Sequence, residues 1–393
     1  MPPDTATNPI NWCRKNLFST WYDTLFTLIL GSLCLWAFTN LGMWATTMAQ
    51  WDVIPANFPL FFVGRFPPNL YGRLWIILGV LCTLSGISWG VVTRGAAKVF
   101  TPSVLIGMAI SCGMIVTFPL NLSDRLFLIG MIALTAGGAK LGRVVGKTLP
   151  LFGKWLSLLW LITFGSVVWL LKGGLGLQEI STNDWGGLIL TLLMAVAGIV
   201  LSFPIGVLFA LGRQSALPVV RWLSIFYIEI IRGLPLIALL FMGQVMIPLF
   251  LPPGVRPDRV VRAIISLTLF SSAYLAENVR GGLQGIPPGQ IEAAKALGLN
   301  PLLTMSLIVL PQALKAVIPV IVGQFISLFQ NTSLLAVVGL VELLGISNSI
   351  LANPKFLGRY AEVYFVIGII YWGFCYAMSL ASRRLEEKLN TSY

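Results

Sequence analysis

The sequence predicts an all-α integral membrane protein with about ten transmembrane helices. Three observations carry that prediction. Hydrophobic residues make up 57% of the 393 positions and charged residues only 10%, against roughly 45–50% and about 25% in soluble domains. Mean hydropathy is +0.87, more apolar surface than a soluble fold of this length can hide. The apolar residues also come in runs of roughly 20, the length that crosses a bilayer.

The runs are read in order along the chain. The first, 24–48, follows a polar stretch and is far longer than a signal-peptide core, so it stays as a membrane helix. Runs at 74–92, 103–120, 126–142 and 155–171 follow, the fourth overall being diluted by Gly137, Gly138 and Lys140. A second group lies at 186–211, 223–250, 262–280, 306–329 and 361–382, whose members have room to be longer or broken. With the N-terminus inside, fifteen Lys and Arg fall on inner segments, among them Arg94, Lys98, Lys140, Arg143, Lys147 and Lys154, against nine on outer loops. That bias places both termini in the cytoplasm. The arginines of the outer loop at 256–262 run against it.

Several chemistries drop out at this stage. The net charge of +12 sits in short clusters between apolar runs, the pattern of basic loops beside anionic headgroups rather than of a nucleic-acid surface. The chain has no histidine, which removes Ser-His-Asp and Cys-His catalysis and histidine-ligated metals. Its five cysteines, Cys13, Cys34, Cys82, Cys112 and Cys375, are scattered and read as small apolar residues. Gly142-Arg-Val-Val-Gly146-Lys147-Thr148 imitates a phosphate loop, but three residues stand between the glycines instead of four, and a membrane helix precedes it where a strand is required. It reads as a basic inner loop.

Polarity divides the chain in two. An N-terminal part, 1–175, holds five apolar runs and an outer loop at 49–73 rich in Trp, Phe and Pro. The part at 176–393 carries Glu229, Arg232, Gln244, Glu277, Asn278 and Gln324 within its runs. Ionisable groups at membrane depth are costly and point to function. Glu229 and Arg232, three apart, are spaced to pair. Arg280 suits a loop anchor or a snorkelling side chain.

One inner segment, 285–300, has unusual local order. Pro287 and Pro288 suit a helix start, Gln290 to Leu297 favour a helix, and Gly298 sits where a helix ends in a left-handed residue. Asn300 is a natural N-cap and Pro301 a natural first helical residue. The prediction is a short helix, a glycine corner and a second helix, with Ile291, Ala294 and Leu297 forming a small apolar face. Such a helix can lie on the lipid surface or dock into a groove on a cytoplasmic partner.

The motif here is Glu292-Ala293-Ala294, Gly298 after three residues, Ile308 after nine more, then Leu310-Pro311. It resembles the loop signature of bacterial ABC-importer permeases at every fixed position. The stretches Ala273 to Gln284, Pro311-Gln312-Ala313 and Glu229 to Pro235 are similar to the polar amino-acid branch of that family. The core resemblance covers about 186–385. The extra N-terminal runs and the outer loop resemble the larger permease subunit of general L-amino-acid importers.

The resemblance implies a permease core with a coupling helix at 285–300, in which Glu292, Ala293, Ala294, Gly298, Ile308 and Pro311 contact a cytoplasmic ATPase. ATP and magnesium would be held by that separate chain, and this chain would be no enzyme. The implied partners are ATPase subunits, a second, related permease subunit and an external amino-acid binding protein, all at a bacterial inner membrane. Transport would run by alternating access. Polar side chains placed to line a pathway are Ser266, Ser271, Tyr274, Glu277, Gln324, Ser327 and Gln330. The family often has Lys-Asp where this chain has Gln330-Asn331, an expected change in gating or substrate preference. The rival readings are an ion-driven secondary transporter and a non-transporting membrane sensor or scaffold.

Overall fold

A computed structural model of the chain describes residues 9–95, 99–118, 120–149 and 151–390. Lys98, counted above among the inner cations, lies outside them. The helices in chain order are α1 (Pro9–Asn16), α2 (Trp21–Met43), α3 (Val53–Ala56), α4 (Phe58–Val63), α5 (Tyr71–Val92), α6 (Pro102–Thr117), α7 (Leu122–Thr148), α8 (Phe152–Lys172) and α9 (Gly187–Arg213). There follow α10 (Pro218–Gly233), α11 (Leu236–Met246), α12 (Arg259–Gln284), α13 (Pro288–Ala296), α14 (Pro301–Leu303), α15 (Leu310–Asn331), α16 (Gly345–Leu351) and α17 (Tyr360–Asn390). Among the described residues there is no strand, only two isolated bridges.

Eight helical stretches are long and apolar enough to cross a membrane, built on α2, α5, α7, α8, α9, α12, α14–α15 and α17. The bent pair α10–α11 and the 16-residue apolar helix α6 bring the total to ten, one for each run in the sequence. The core is built around α9 and α12. Half of the best apolar window of α9 is buried and 56% of that of α12. Leu190, Met194, Leu240, Leu267 and Leu328 meet there in one cluster. By contrast α2 buries none of its residues. It is tied down near its end by Trp44, whose ring packs on Trp51 and Phe365.

Two differences from the sequence reading have local physical causes. The fourth run does not stop at 142. α7 continues to Thr148, so Gly142 to Thr148, read above as a loop, is helix. Its glycines serve packing: a Cβ on Gly142 would strike the Ile87 carbonyl oxygen, and one on Gly90 the Ala139 carbonyl oxygen. α5 and α7 therefore cross backbone to backbone, as small residues allow in membrane bundles.

The seventh run, 223–250, is not one rod. α10 and α11 meet at 110°. Leu234 precedes Pro235, which bars it from the α region, and both residues are extended, at ψ 138°. A backbone break at membrane depth needs protein around it. Here the Tyr274 hydroxyl donates to the Arg232 carbonyl at 3.5 Å, and the Arg232 guanidinium lies over the Tyr274 ring, 5.6 Å from its centroid.

The outer loop at 49–73 is ordered into α3, α4 and a 3-10 turn at Pro68–Leu70. It packs onto the second half of the chain. Val53, Ile54 and Phe61 are buried in one cluster with Leu343, Ile346, Ile350, Val363 and Ile367. The Gln50 amide donates to Glu362 at 2.9 Å, Arg65 donates to the Ser349 hydroxyl at 3.1 Å, and Arg359 pairs with Asp52. The first part of the chain thus closes over the ends of α16 and α17.

Candidate functional site

Residues 288–311 form the corner that the sequence motif outlines. α13 ends in a double turn: the Gly298 amide donates to the Lys295 carbonyl at 2.9 Å and the Leu299 amide to the Ala294 carbonyl at 3.1 Å. This is the Schellman closure, which requires a left-handed residue, and Gly298 has φ +76°. A Cβ at Gly298 would meet nothing within 4 Å, so the chain itself asks only for the backbone conformation. The Asn300 side chain then accepts from the Leu303 amide at 2.8 Å, with Pro301 in the first turn. A π-helical stretch, Thr304–Val309, leads into α15 and contains Ile308.

The corner is anchored on one side and open on the other. Ala294 is buried, and Ile291 packs against the cluster of Leu283, Val309, Ala313 and Val317. Gln312 ties the two arms together, donating to the Ile308 carbonyl at 2.9 Å and to the Gln290 side chain at 3.3 Å. Glu292, Ala293 and Pro311 are exposed. Leu297 does not join the apolar face with Ile291 and Ala294. It is 81% exposed, as Leu302 is at 76%, because the helix has already turned away at its C-terminus.

A second polar assembly lies where α9, α10 and α12 approach the same face. Glu277 is its centre. It accepts from the Arg280 Nε at 2.9 Å and pairs with Arg213 at 3.3 Å and Arg232 at 3.6 Å. Arg213 also reaches Glu229 at 3.0 Å. The expected Glu229–Arg232 pair does not form. Three positions on α10 put the two side chains on neighbouring faces, and each finds a partner on another helix. Three guanidinium groups and two carboxylates thus join three helices around the α10–α11 break.

Comparison with known proteins now bears on this geometry. The family model described as binding-protein-dependent transport system inner membrane component matches residues 202–391. The inner membrane amino-acid ABC transporter permease protein YhdY of Escherichia coli (strain K12) is 38% identical over 382 residues, 97% of this chain and 93% of that protein. The chain belongs to the amino-acid ABC transporter permeases. The glutamate/glutamine/aspartate/asparagine transport system permease protein BztC of Rhodobacter capsulatus is 34% identical, covering 100% of this permease and 96% of its own length. The probable glutamine permease GlnP of Bacillus subtilis is 38% identical but covers only 54% of this permease with 95% of itself. The shorter relative corresponds to about half of the permease, and the full-length relatives carry the remainder too.

The pathway candidates divide once they are placed in the permease. The Ser266 hydroxyl donates to the Arg262 carbonyl at 3.0 Å and is pressed against Gly243, which makes it a packing residue of α11 and α12. Tyr274 braces the helix break and Glu277 is held by three arginines. Ser271 is fully buried, and its hydroxyl has no hydrogen-bond partner. Gln324 is half-buried, while Ser327 and Gln330 are exposed. Gln330 makes one weak contact, to the Cys375 sulfur at 3.6 Å.

Sequence reasoning missed Glu342, which is fully buried beyond the end of α15. Its carboxylate accepts from the Leu344 amide at 2.7 Å, the Gly345 amide at 2.8 Å and the Tyr371 hydroxyl at 3.1 Å. It caps α16, and the adjacent Leu343 amide donates to Thr191 on α9 at 2.9 Å. The apolar residues around it gave no hint of the contact, which spans 152 positions. Burial lifts the Glu342 carboxyl from 4.5 to about 7, against the hydrogen bonds that favour the anion. The folded permease therefore holds a proton that the unfolded chain has lost. Its stability falls as pH rises from about 4.5 to about 7 and levels off above, by about 3 kcal/mol at most. Thermal unfolding in detergent at pH 5 and pH 8 measures this. Glu342→Gln is expected to flatten the difference and to cost about 1–3 kcal/mol at pH 5, where both side chains are neutral, because its amide cannot accept from both backbone N–H groups.

Proposed function

We propose that this permease moves amino acids into the cell through alternating access, driven by a separate ATPase seated on the corner at 288–311. The observation that carries the reading is the corner itself. Its backbone is closed by its own hydrogen bonds and its buried side is filled, yet Glu292, Leu297 and Leu302 are each exposed. A carboxylate and exposed leucines on one rigid corner suit a groove in another protein. Glu292, Ala293, Ala294, Gly298, Ile308 and Pro311 make or support that contact. ATP and magnesium belong to the ATPase. ATP-driven closure of the partner would push α13, and Gln312 with the π-helical stretch would pass the push to α15.

The complete importer would hold two ATPase subunits, a second and different permease chain, and an external binding protein that delivers the amino acid. In this reading 176–393 is the permease core, 1–175 is an extension whose segment 49–73 closes over it, and both termini face the cytoplasm of the bacterial cell. Ser271, Gln324, Ser327 and Gln330 remain the side chains placed for a pathway, with Ser271 the strongest because its hydroxyl is unsatisfied. Ser266, Tyr274 and Glu277 serve the framework instead. Likeness to BztC supports polar and acidic amino acids as the substrate class.

The test is co-purification of the detergent-solubilised permease with its ATPase. Wild type is expected to retain the ATPase. Glu292→Arg is expected to weaken retention at least about tenfold, the loss of one charge-assisted hydrogen bond. A wild-type permease that binds no ATPase overturns the reading, and transport that survives removal of the ATPase favours an ion-driven carrier.

A further inference from the structure

Cations just after α5, on the second half of α7 and at the start of α8 are gathered rather than spread. Val91, near the end of α5, is buried against Gly146 of α7 and Gly153 of α8. The Arg94 guanidinium donates to the Gly146 carbonyl at 3.3 Å. Around that point α7 carries Lys140, Arg143 and Lys147, and Lys154 stands one residue from Gly153. The described residues of 93–101 and 138–154 contain no carboxylate.

The same helices carry an apolar groove of about 300 Å³, bounded by Trp89 of α5, by Val104, Gly107, Met108 and Ser111 of α6, and by Ile132, Thr135 and Ala136 of α7. On α7, Ile132, Ala136, Lys140, Arg143 and Lys147 recur every three or four residues and so share one face. Ala136, the last α7 residue of the groove, lies one turn before Lys140. The groove therefore ends one turn from Lys140, the first of these cations.

We propose that this is a binding site for an anionic phospholipid of the inner leaflet, with one acyl chain in the groove and the phosphate among Lys140, Lys147 and Lys154. The inner placement rests on the orientation given above. Charge complementarity decides the occupant. A groove of carbon-lined walls takes a hydrocarbon chain, and a group of lysines takes a phosphodiester. A zwitterionic lipid fills the groove but brings its own cation to the lysines.

The test uses the full permease in nanodiscs of phosphatidylcholine with a tenth of phosphatidylglycerol, extracted and read by lipid mass spectrometry. Wild type is expected to retain phosphatidylglycerol above its bulk share. Lys140→Gln with Lys147→Gln is expected to lower the enrichment about fivefold for each cation removed, the weight of one lysine against anionic lipid. Met108→Trp, which fills the groove and spares the lysines, is expected to lower it too. Inorganic phosphate at millimolar concentration is expected neither to bind nor to compete. Equal retention of both lipids by wild type overturns the site, as does a double variant that enriches like wild type. Competition by inorganic phosphate would reassign the cluster to a soluble anion. Met108→Trp releasing the second permease subunit would show a protein helix in the groove. Each of these results leaves ATPase co-purification untouched, so failure here is distinct from failure of the proposed function.

Discussion

Gly298→Asp is expected to abolish stimulation of the partner ATPase while leaving the permease folded. Two separate costs meet at this position. A side chain on a left-handed residue costs about 1–2 kcal/mol, and Gly298 has φ +76° in an exposed turn. Nothing in the chain stands within 4 Å of the added Cβ, so no clash within the permease adds to it. Gly298→Asn isolates the second cost, because asparagine tolerates the left-handed region. If the partner's groove closes on this turn, Asn and Asp both lose coupling, and thermal stability in detergent moves little for either. If the groove rejects only the added negative charge, Asn keeps ATPase stimulation near wild type and Asp loses it, since both residues tolerate the left-handed region. ATPase rates of the reconstituted complex, with and without binding protein, separate these outcomes. Full stimulation in the Asp variant would remove the corner from the mechanism.

The largest loss of stability is expected from Glu277→Ala. That change leaves Arg213, Arg232 and Arg280 on three helices without their common carboxylate, and the Arg232 Nε is already buried without a partner. Stranding buried charge is strongly destabilising. The cluster is partly exposed, so the cost is about 2–4 kcal/mol, below the roughly 3–5 kcal/mol of a fully buried pair. Glu229, whose side chain is 55% exposed and which pairs with Arg213 alone, supplies the contrast. Glu229→Gln is expected to stay within about 0.5 kcal/mol of wild type. Unfolding followed by size-exclusion fluorescence after a temperature series ranks the two. Equal effects would mean that Glu277 is not the centre of the assembly.

Local order was legible in the sequence, and long-range order was not. Nine of the ten apolar runs became one helical stretch each because bilayer thickness sets their length, and the seventh became a bent pair. The corner at 288–303 followed from Pro288, Gly298, Asn300 and Pro301, whose preferences act over one turn. The break before Pro235 was also written locally, in the bar that a proline places on Leu234, but apolar continuity through 223–250 masked it. Glu277 was visible as an ionisable residue at depth, yet its partners lie 64 residues upstream at Arg213 and 45 upstream at Arg232. Spacing along α10 suggested the nearer and wrong pair for Glu229. The Gly142 and Gly146 pattern looked like a nucleotide loop because its real cause, the crossing with Gly90 on α5, lies about 50 residues away. Segment 49–73 reads as a loop until Ile346, Ile350 and Val363 are placed beneath it.

The central claim is that this chain carries amino acids only as part of an ATP-driven complex. The most direct measurement is uptake of labelled amino acids into proteoliposomes holding the permease pair, with its ATPase on the cytoplasmic face and binding protein added at the opposite one. Accumulation that requires ATP, and that stops when the ATPase is left out or Gly298 is replaced by Asp, is the predicted result. Uptake that proceeds on an ion gradient without the ATPase would contradict it.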